Sequence, residues 1–168
     1  MKALNQLKDR KLKSTKNSNK EYSELKSLMI SSPESEKAAL YCILFNKDLQ
    51  KNINLLSEGD FYNLNHKEFF RYFKKTIEDG GVLIPVLVPD KIRKDPQWFS
   101  VIDCLGLKAN FQRYINDLKE KSNQRKVALM AHRLKVKVLE NCPSIEMKSF
   151  AIDFFRRHKN KYKKVYGE

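Results

Sequence analysis

Residues 110–140 read NFQRYINDLKEKSNQRKVALMAHRLKVKVLE, and the fold class turns on them. No glycine or proline interrupts this stretch. Its apolar residues Phe111, Tyr114, Ile115, Leu118, Val127, Ala131, Leu134 and Val138 recur at helical spacing. The pattern predicts one helix about 45 Å long. Asn141-Cys142-Pro143 breaks it, since proline cannot donate to the helical ladder, and Ser144 can cap the next helix. Met147, Phe150, Ala151 and Phe154 then repeat the same period before the helix frays into a basic tail. Two long helices joined by a short break form an antiparallel hairpin.

Upstream, the punctuation predicts shorter helices. Ser32-Pro33-Glu34 combines a capping residue, a proline suited to the first turn and a carboxylate suited to the helix dipole. The adjoining run, EKAALYCILFN, places Ala39, Leu40, Ile43 and Leu44 on one stripe. A second helix is expected from Asp48 to Leu56, and a third from near Asn65 to Asp79. The third buries Phe69, Phe70, Phe73 and Ile77 and stops at Gly80-Gly81. VLIPVLV is the one strand-like stretch, but Pro85 and Pro89 forbid a central strand. An extended segment is expected there, leading to a short helix with Pro89 at its first position. Asp95-Pro96 opens another helix, which carries Trp98, Phe99, Ile102 and Leu105 and ends at Gly106. The chain is therefore expected to be all-α. Its parts are a basic, largely disordered arm over 1–31 with a short helix through Tyr22, Leu25 and Leu28, a small globular helical bundle over 32–108, the hairpin over 109–155, and a basic tail over 156–168.

The formal charge of +14 is concentrated at the ends. Residues 1–20 carry +6, residues 156–168 carry +5, and the long middle carries only +3. Such ends attract phosphate or acidic surfaces. Lys8, Arg10, Lys11, Lys13, Arg156, Arg157, Lys159, Lys161, Lys163 and Lys164 are the candidate nucleic-acid contacts. The apolar run from Val82 to Pro89 is far too short to span a bilayer, and MKALNQLKDRKLKSTKNSNK has no apolar core of a signal peptide, so no membrane partner is expected. Three scattered cysteines make no disulfide framework, and a reducing cytoplasm is the expected compartment.

Known chemistries find no footing in the pattern. A phosphate-cradling loop needs GxxxxGK followed by Ser or Thr, and none of Gly59, Gly80, Gly81, Gly106 or Gly167 sits in one. No pair of Cys or His has zinc-ligand spacing. Cys42 and Cys104 lie on apolar runs and read as packing residues, while His66 reads as a helix-start or core-edge histidine. Glu34 with Glu36, and Glu58 with Asp60, read as helix-start and turn carboxylates. Phe69, Phe70 and Phe73 read as core rather than a cofactor box. No catalytic residue, metal or cofactor is expected.

Three ordered stretches carry a resemblance: PESEKAALYCILFN at 33–46, LLSEGDFYNLNHKEFF at 55–70, and ANFQRYINDLKEKSNQRKVALMA at 109–131. Asp60-Phe61-Tyr62, His66 and Phe69-Phe70 fall in one signature, and Asn110, Tyr114 and Arg125 in another. Together they resemble the N-terminal, non-ATPase domain of DnaB-type replicative helicases over residues 32–157. The chain departs from that pattern at Tyr41, where the family has glycine, at Pro85, where it has aspartate, and around Trp98, where a glycine-rich turn is missing. The resemblance implies hairpins that pair into dimers, a collar of three dimers on a hexameric motor, and a docking surface for primase. It stops where the linker to the motor would begin, so a helicase fragment and a free-standing relative both fit.

The function expected is an interaction module of the replication machinery that binds itself, a helicase or a primase and catalyses nothing. Tyr114, Leu118, Phe154 and Phe155 are its candidate interaction residues. Two alternatives stand beside it: a nucleic-acid-binding protein with basic termini on an α-helical core, and a loader or inhibitor that mimics the helicase collar.

Overall fold

The structure, a computed structural model, describes residues 30–166, with side chains as far as Arg156. Nearly all of the expected N-terminal arm, with Lys8, Arg10, Lys11, Lys13 and the helix through Tyr22, Leu25 and Leu28, lies outside the described residues. Among the described residues all regular structure is helical.

Helix α1 (Pro33–Phe45) opens with proline in its first turn, where a missing N–H costs nothing. Ser32 makes no capping bond with its side chain, contrary to the sequence expectation. Ala39, Leu40, Cys42, Ile43 and Leu44 are all buried, because α1 packs against α2 (Lys47–Gln50), α3 (Leu64–Glu78) and α5 (Pro96–Ile102). The single helix expected over 48–56 is corrected to the short α2 and a separate 3-10 turn at Ile53–Leu55. Asn52 and Asn54 explain the interruption, since asparagine side chains compete with the helical ladder.

Asn63 starts α3 by accepting from the backbone N–H groups of Asn65 (2.9 Å) and His66 (3.4 Å). The helix buries Phe69, Phe70 and Phe73 and exposes Arg71, Lys75 and Glu78. It ends in a left-handed Gly80 (φ 74°), with the Gly81 N–H bonded to the Thr76 carbonyl at 2.8 Å. That closure favours glycine because other side chains are strained at positive φ. An extended segment comes next, as expected, with Leu83 buried between exposed Val82 and Ile84. Helix α4 (Asp90–Arg93) begins one residue after Pro89, and the Asp95 side chain caps α5 through the Gln97 N–H at 2.7 Å.

Gly106 lies hard against α1. A Cβ there would sit 2.8 Å from the Ala38 carbonyl oxygen and 3.1 Å from the Tyr41 ring. Tyr41 occupies a position where the resemblance implies glycine, and the space its ring takes is released by the missing side chain at 106. Trp98 on α5 meets Phe69 and Phe73 edge-on at 5.7 and 6.2 Å. Helix α6 (Phe111–Leu139) closes the core with Phe111, Ile115 and Leu118.

The chain divides into two compact units between Ser122 and Asn123, inside α6 rather than ahead of it. The second unit comprises the remainder of α6, a turn, and α7 (Ser144–Tyr166). Ser144 is the first residue of α7, and the helix runs on through the basic segment where the sequence suggests fraying. Asn141 at φ 54°, with the Cys142 N–H on the Lys137 carbonyl at 3.0 Å, closes α6 in the same way that Gly80 closes α3.

Candidate interaction surface

Two arrangements carry information about function, one in each unit. In the first, the segment from Ser57 to His66 folds into a turn held from outside. The Asp60 carboxylate accepts the Ser57 N–H (2.8 Å) and hydroxyl (2.9 Å), closing a 3-10 turn at Glu58–Asp60. The Ser122 hydroxyl donates to the Gly59 carbonyl at 3.0 Å and ties the turn to α6. Phe61 is 0% exposed and lies against Phe70, ring centroids 4.9 Å apart.

Glu36 anchors the far side of this turn. Its side chain, 1% exposed, accepts the Tyr62 N–H at 2.5 Å, the Asn63 N–H at 3.2 Å and His66 Nδ1 at 2.8 Å. The buried Nε2 of His66 has no hydrogen-bond partner. Three bonds to one buried carboxylate satisfy two backbone donors that would otherwise be stranded. Nearby, Asp117 on α6 receives the Ser35 hydroxyl at 2.6 Å. Burial pushes its carboxyl up, but the hydroxyls of Ser32 and Ser35, with Lys121 and Arg113, outweigh this and hold it below the ordinary value. Burial also pushes the Cys42 thiol up to about 11, with Cys104 adding to the shift, so this thiol stays protonated and unreactive.

In the second unit the arrangement is a surface. On α7 the half-buried residues are Met147, Phe150, Ala151 and Phe154, while Ile145, Ile152 and Phe155 are exposed. At about 100° per residue the exposed set is centred about 130° round the helix from the half-buried one, with Phe155 at its near edge. The inward arc meets α6, where the Lys137 ammonium stands 5.7 Å from the centre of the Phe150 ring. On α6, Val127, Ala131 and Val138 lie within an arc of about 40° and are exposed, while Met130 is buried. The hairpin thus leaves an aliphatic stripe on each helix after its own packing is complete.

Residues 29–120 match the family described as the DnaB-like helicase N-terminal domain, more than half of the chain. The chain belongs to that family. The crystal structure of the N-terminal domain of DnaB helicase from Mycobacterium tuberculosis shares the fold, with a TM-score of 0.65 at 18% identity. The likeness covers 76% of this chain and 97% of that one. No curated protein matches.

The four candidate interaction residues separate. Leu118 is 0% exposed in the first unit's core, which corrects its reading as part of a docking stripe. Tyr114 is half-buried against the same core, its hydroxyl 3.4 Å from the Leu107 N–H. Phe154 sits on the inward arc of α7, edge-on to Phe155 at 5.8 Å. Only Phe155, 56% exposed, lies on open surface. Of the candidate nucleic-acid contacts, Arg156 is exposed and 3.9 Å from Asp153, and Arg157, Lys159, Lys161, Lys163 and Lys164 lie within the bounds of α7. Glu36 was missed as an anchor, because its position in the first turn of α1 gave it a sufficient local role. Among the described residues no three His, Cys, Asp or Glu gather to hold a metal, and no helix is long and apolar enough to cross a membrane.

Proposed function

We propose that this DnaB-like domain is a non-catalytic assembly module of the replication machinery: its hairpin pairs with the hairpin of a second copy, and the assembled module docks a helicase or a primase. One observation carries this reading. Ile145, Ile152 and Phe155 remain exposed on the arc of α7 away from its inward face, with Val127 and Val138 exposed on α6. Apolar surface gathered in this way on a hairpin supports a partner of like character, and a two-fold pairing of identical stripes is the simplest way to cover it. The family, described as a helicase N-terminal domain, supports the replication setting.

Sedimentation equilibrium tests it. The native chain should form a dimer or higher assembly, and Phe155→Lys should give monomers with far-UV helicity unchanged. A native chain that stays monomeric at high concentration and binds neither helicase nor primase would overturn the proposal.

A further inference from the structure

The first unit carries an apolar patch of its own, where α1 and the start of α6 flank Gly106. The rings of Tyr41 and Phe45 lie 4.6 Å apart. The Tyr41 ring also borders Gly106, where a Cβ would come within 3.1 Å of it. Leu105 and Leu107 stand on either side of that glycine, and the Leu107 N–H lies 3.4 Å from the Tyr114 hydroxyl. Tyr41 and Tyr114 are half-covered by the core, whereas Phe45, Leu105 and Leu107 are exposed. Neighbouring aromatic and aliphatic side chains left open in this way mark an interaction site.

The chain itself delivers a cover to this place. Ile30 and Ser31 are half-buried, and the hydroxyls of Ser32 and Ser35 both bond the Asp117 carboxylate. Asp117 is three residues from Tyr114, about 4.5 Å along α6, and Tyr41 is six residues beyond Ser35, about 9 Å along α1. Residues 21–29, EYSELKSLM, therefore enter beside the patch. Even coiled as a helix, this segment reaches about 13 Å, enough to lie along it. In that form Tyr22, Leu25, Leu28 and Met29 fall within an arc of about 120°. Glu21 and Glu24 against Lys26 give the segment a net charge of −1, whereas residues 1–20 carry +6. It can bring its apolar face to the patch without a charge excess.

We infer that residues 21–29 dock on this patch as an amphipathic cover, with Tyr22, Leu25, Leu28 and Met29 against Tyr41, Phe45, Leu105, Leu107 and Tyr114. A tethered segment meets its site at an effective concentration on the order of millimolar, so it excludes a second copy present at micromolar levels. The cover closes the first unit to self-association. A partner helix of the same character gains the patch only by displacing residues 21–29, which makes the arm a competitor built into the chain. The inference concerns the first unit alone and stands apart from the assembly reading, which rests on the hairpin.

The test is photo-crosslinking of the full chain with p-benzoylphenylalanine in place of Tyr22, using a mixture of isotope-labelled and unlabelled chains. The expected product joins position 22 to the tryptic peptides 38–47, 95–108 or 114–119 of the same chain. Leu25→Asp with Leu28→Asp should reduce that product at least about tenfold, because docking would then bury two charges. In this variant the amides of residues 105–108 should exchange at least about fivefold faster. Leu105→Asp should do the same. Its side chain is 84% exposed, so the core is left intact, and amide protection over Phe69–Phe73 is read on the same samples. Leu25→Met with Leu28→Met should keep the product. Phe155→Lys should also keep it, so failure of the assembly reading and failure of this one are distinguishable. The inference is overturned if the cross-links join labelled to unlabelled chains, which makes a second copy the occupant. It is equally overturned if they fall elsewhere in the chain, or if the aspartate variants cross-link like the native protein.

Discussion

The two units are built on opposite principles from one continuous helix. Up to Ser122, α6 contributes Phe111, Ile115 and Leu118 to a core with five buried aromatic side chains besides Phe111: Phe61, Phe69, Phe70, Phe73 and Trp98. Beyond Asn123, Met130 is the one large apolar residue buried among the described residues. Residues 21–122 are neutral in sum, residues 123–155 carry +3 and residues 156–168 a further +5, and the second unit keeps apolar surface outside. A unit of the first kind folds on its own contacts.

The largest test of this contrast is Phe61→Ala. Emptying a fully buried ring site should cost about 3–5 kcal/mol, a large share of a small domain's stability. Trp98 is the only tryptophan and sits in the first unit's core, so its fluorescence reports that unit alone. Far-UV circular dichroism reports the helices of both. Denaturant unfolding of Phe61→Ala should shift the fluorescence transition strongly and leave part of the dichroism change behind. If the two signals shift together, the units unfold as one and the contrast is only compositional.

A smaller effect is expected at Glu36. Glu36→Ala strands the N–H groups of Tyr62 and Asn63 and the ring of His66, and should cost about 3 kcal/mol. Glu36→Gln keeps an acceptor oxygen and should cost less. A loss below about 1 kcal/mol on the same fluorescence transition would show that the Phe61 turn holds itself without α1.

The smallest effect belongs to the Ser35–Asp117 contact. Ser35→Ala should cost about 1 kcal/mol at neutral pH. Because the Asp117 carboxyl is held below its ordinary value of 3.8, the stability it contributes is complete above that value and is lost as pH falls through the lower, folded one. The penalty of Ser35→Ala should therefore stay constant from neutral pH down to mildly acidic pH and shrink only in strong acid. Paired melts across that range check it, and a penalty that fades near neutrality would assign the contact to another group.

How far the sequence could be read tracks the same division. Helices α1, α3, α5 and α6 were legible because their signals are local: Pro33, Gly80 and Asp95 each act within a turn of their own helix, and α6 shows an unbroken helical period. Glu36 was not legible, since its partners lie 26 to 30 residues away and nothing in its first-turn position announces them. Ser32 and Leu118 failed for a related reason. Ser32 has the composition of a cap, yet its hydroxyl is engaged with Asp117. Leu118 continues a helical stripe that also reaches the hairpin, and periodicity does not reveal where along a single helix the neighbour changes. On α7 the exposure of Phe155 was legible, because one partner helix cannot cover two apolar arcs.

Tyr41 and Gly106 make one packing element out of two distant positions. A methyl at 106 collides with a backbone oxygen that α1 cannot move, and a glycine at 41 leaves a ring-sized void beside an unfilled neighbour. A smaller residue at 41 would relieve the ring side of this gap but not the Ala38 side, where a Cβ at 106 would still meet main chain. The two positions are therefore unequal: bulk at 41 can be traded against its side-chain neighbours, whereas glycine at 106 is imposed by the backbone of α1 itself.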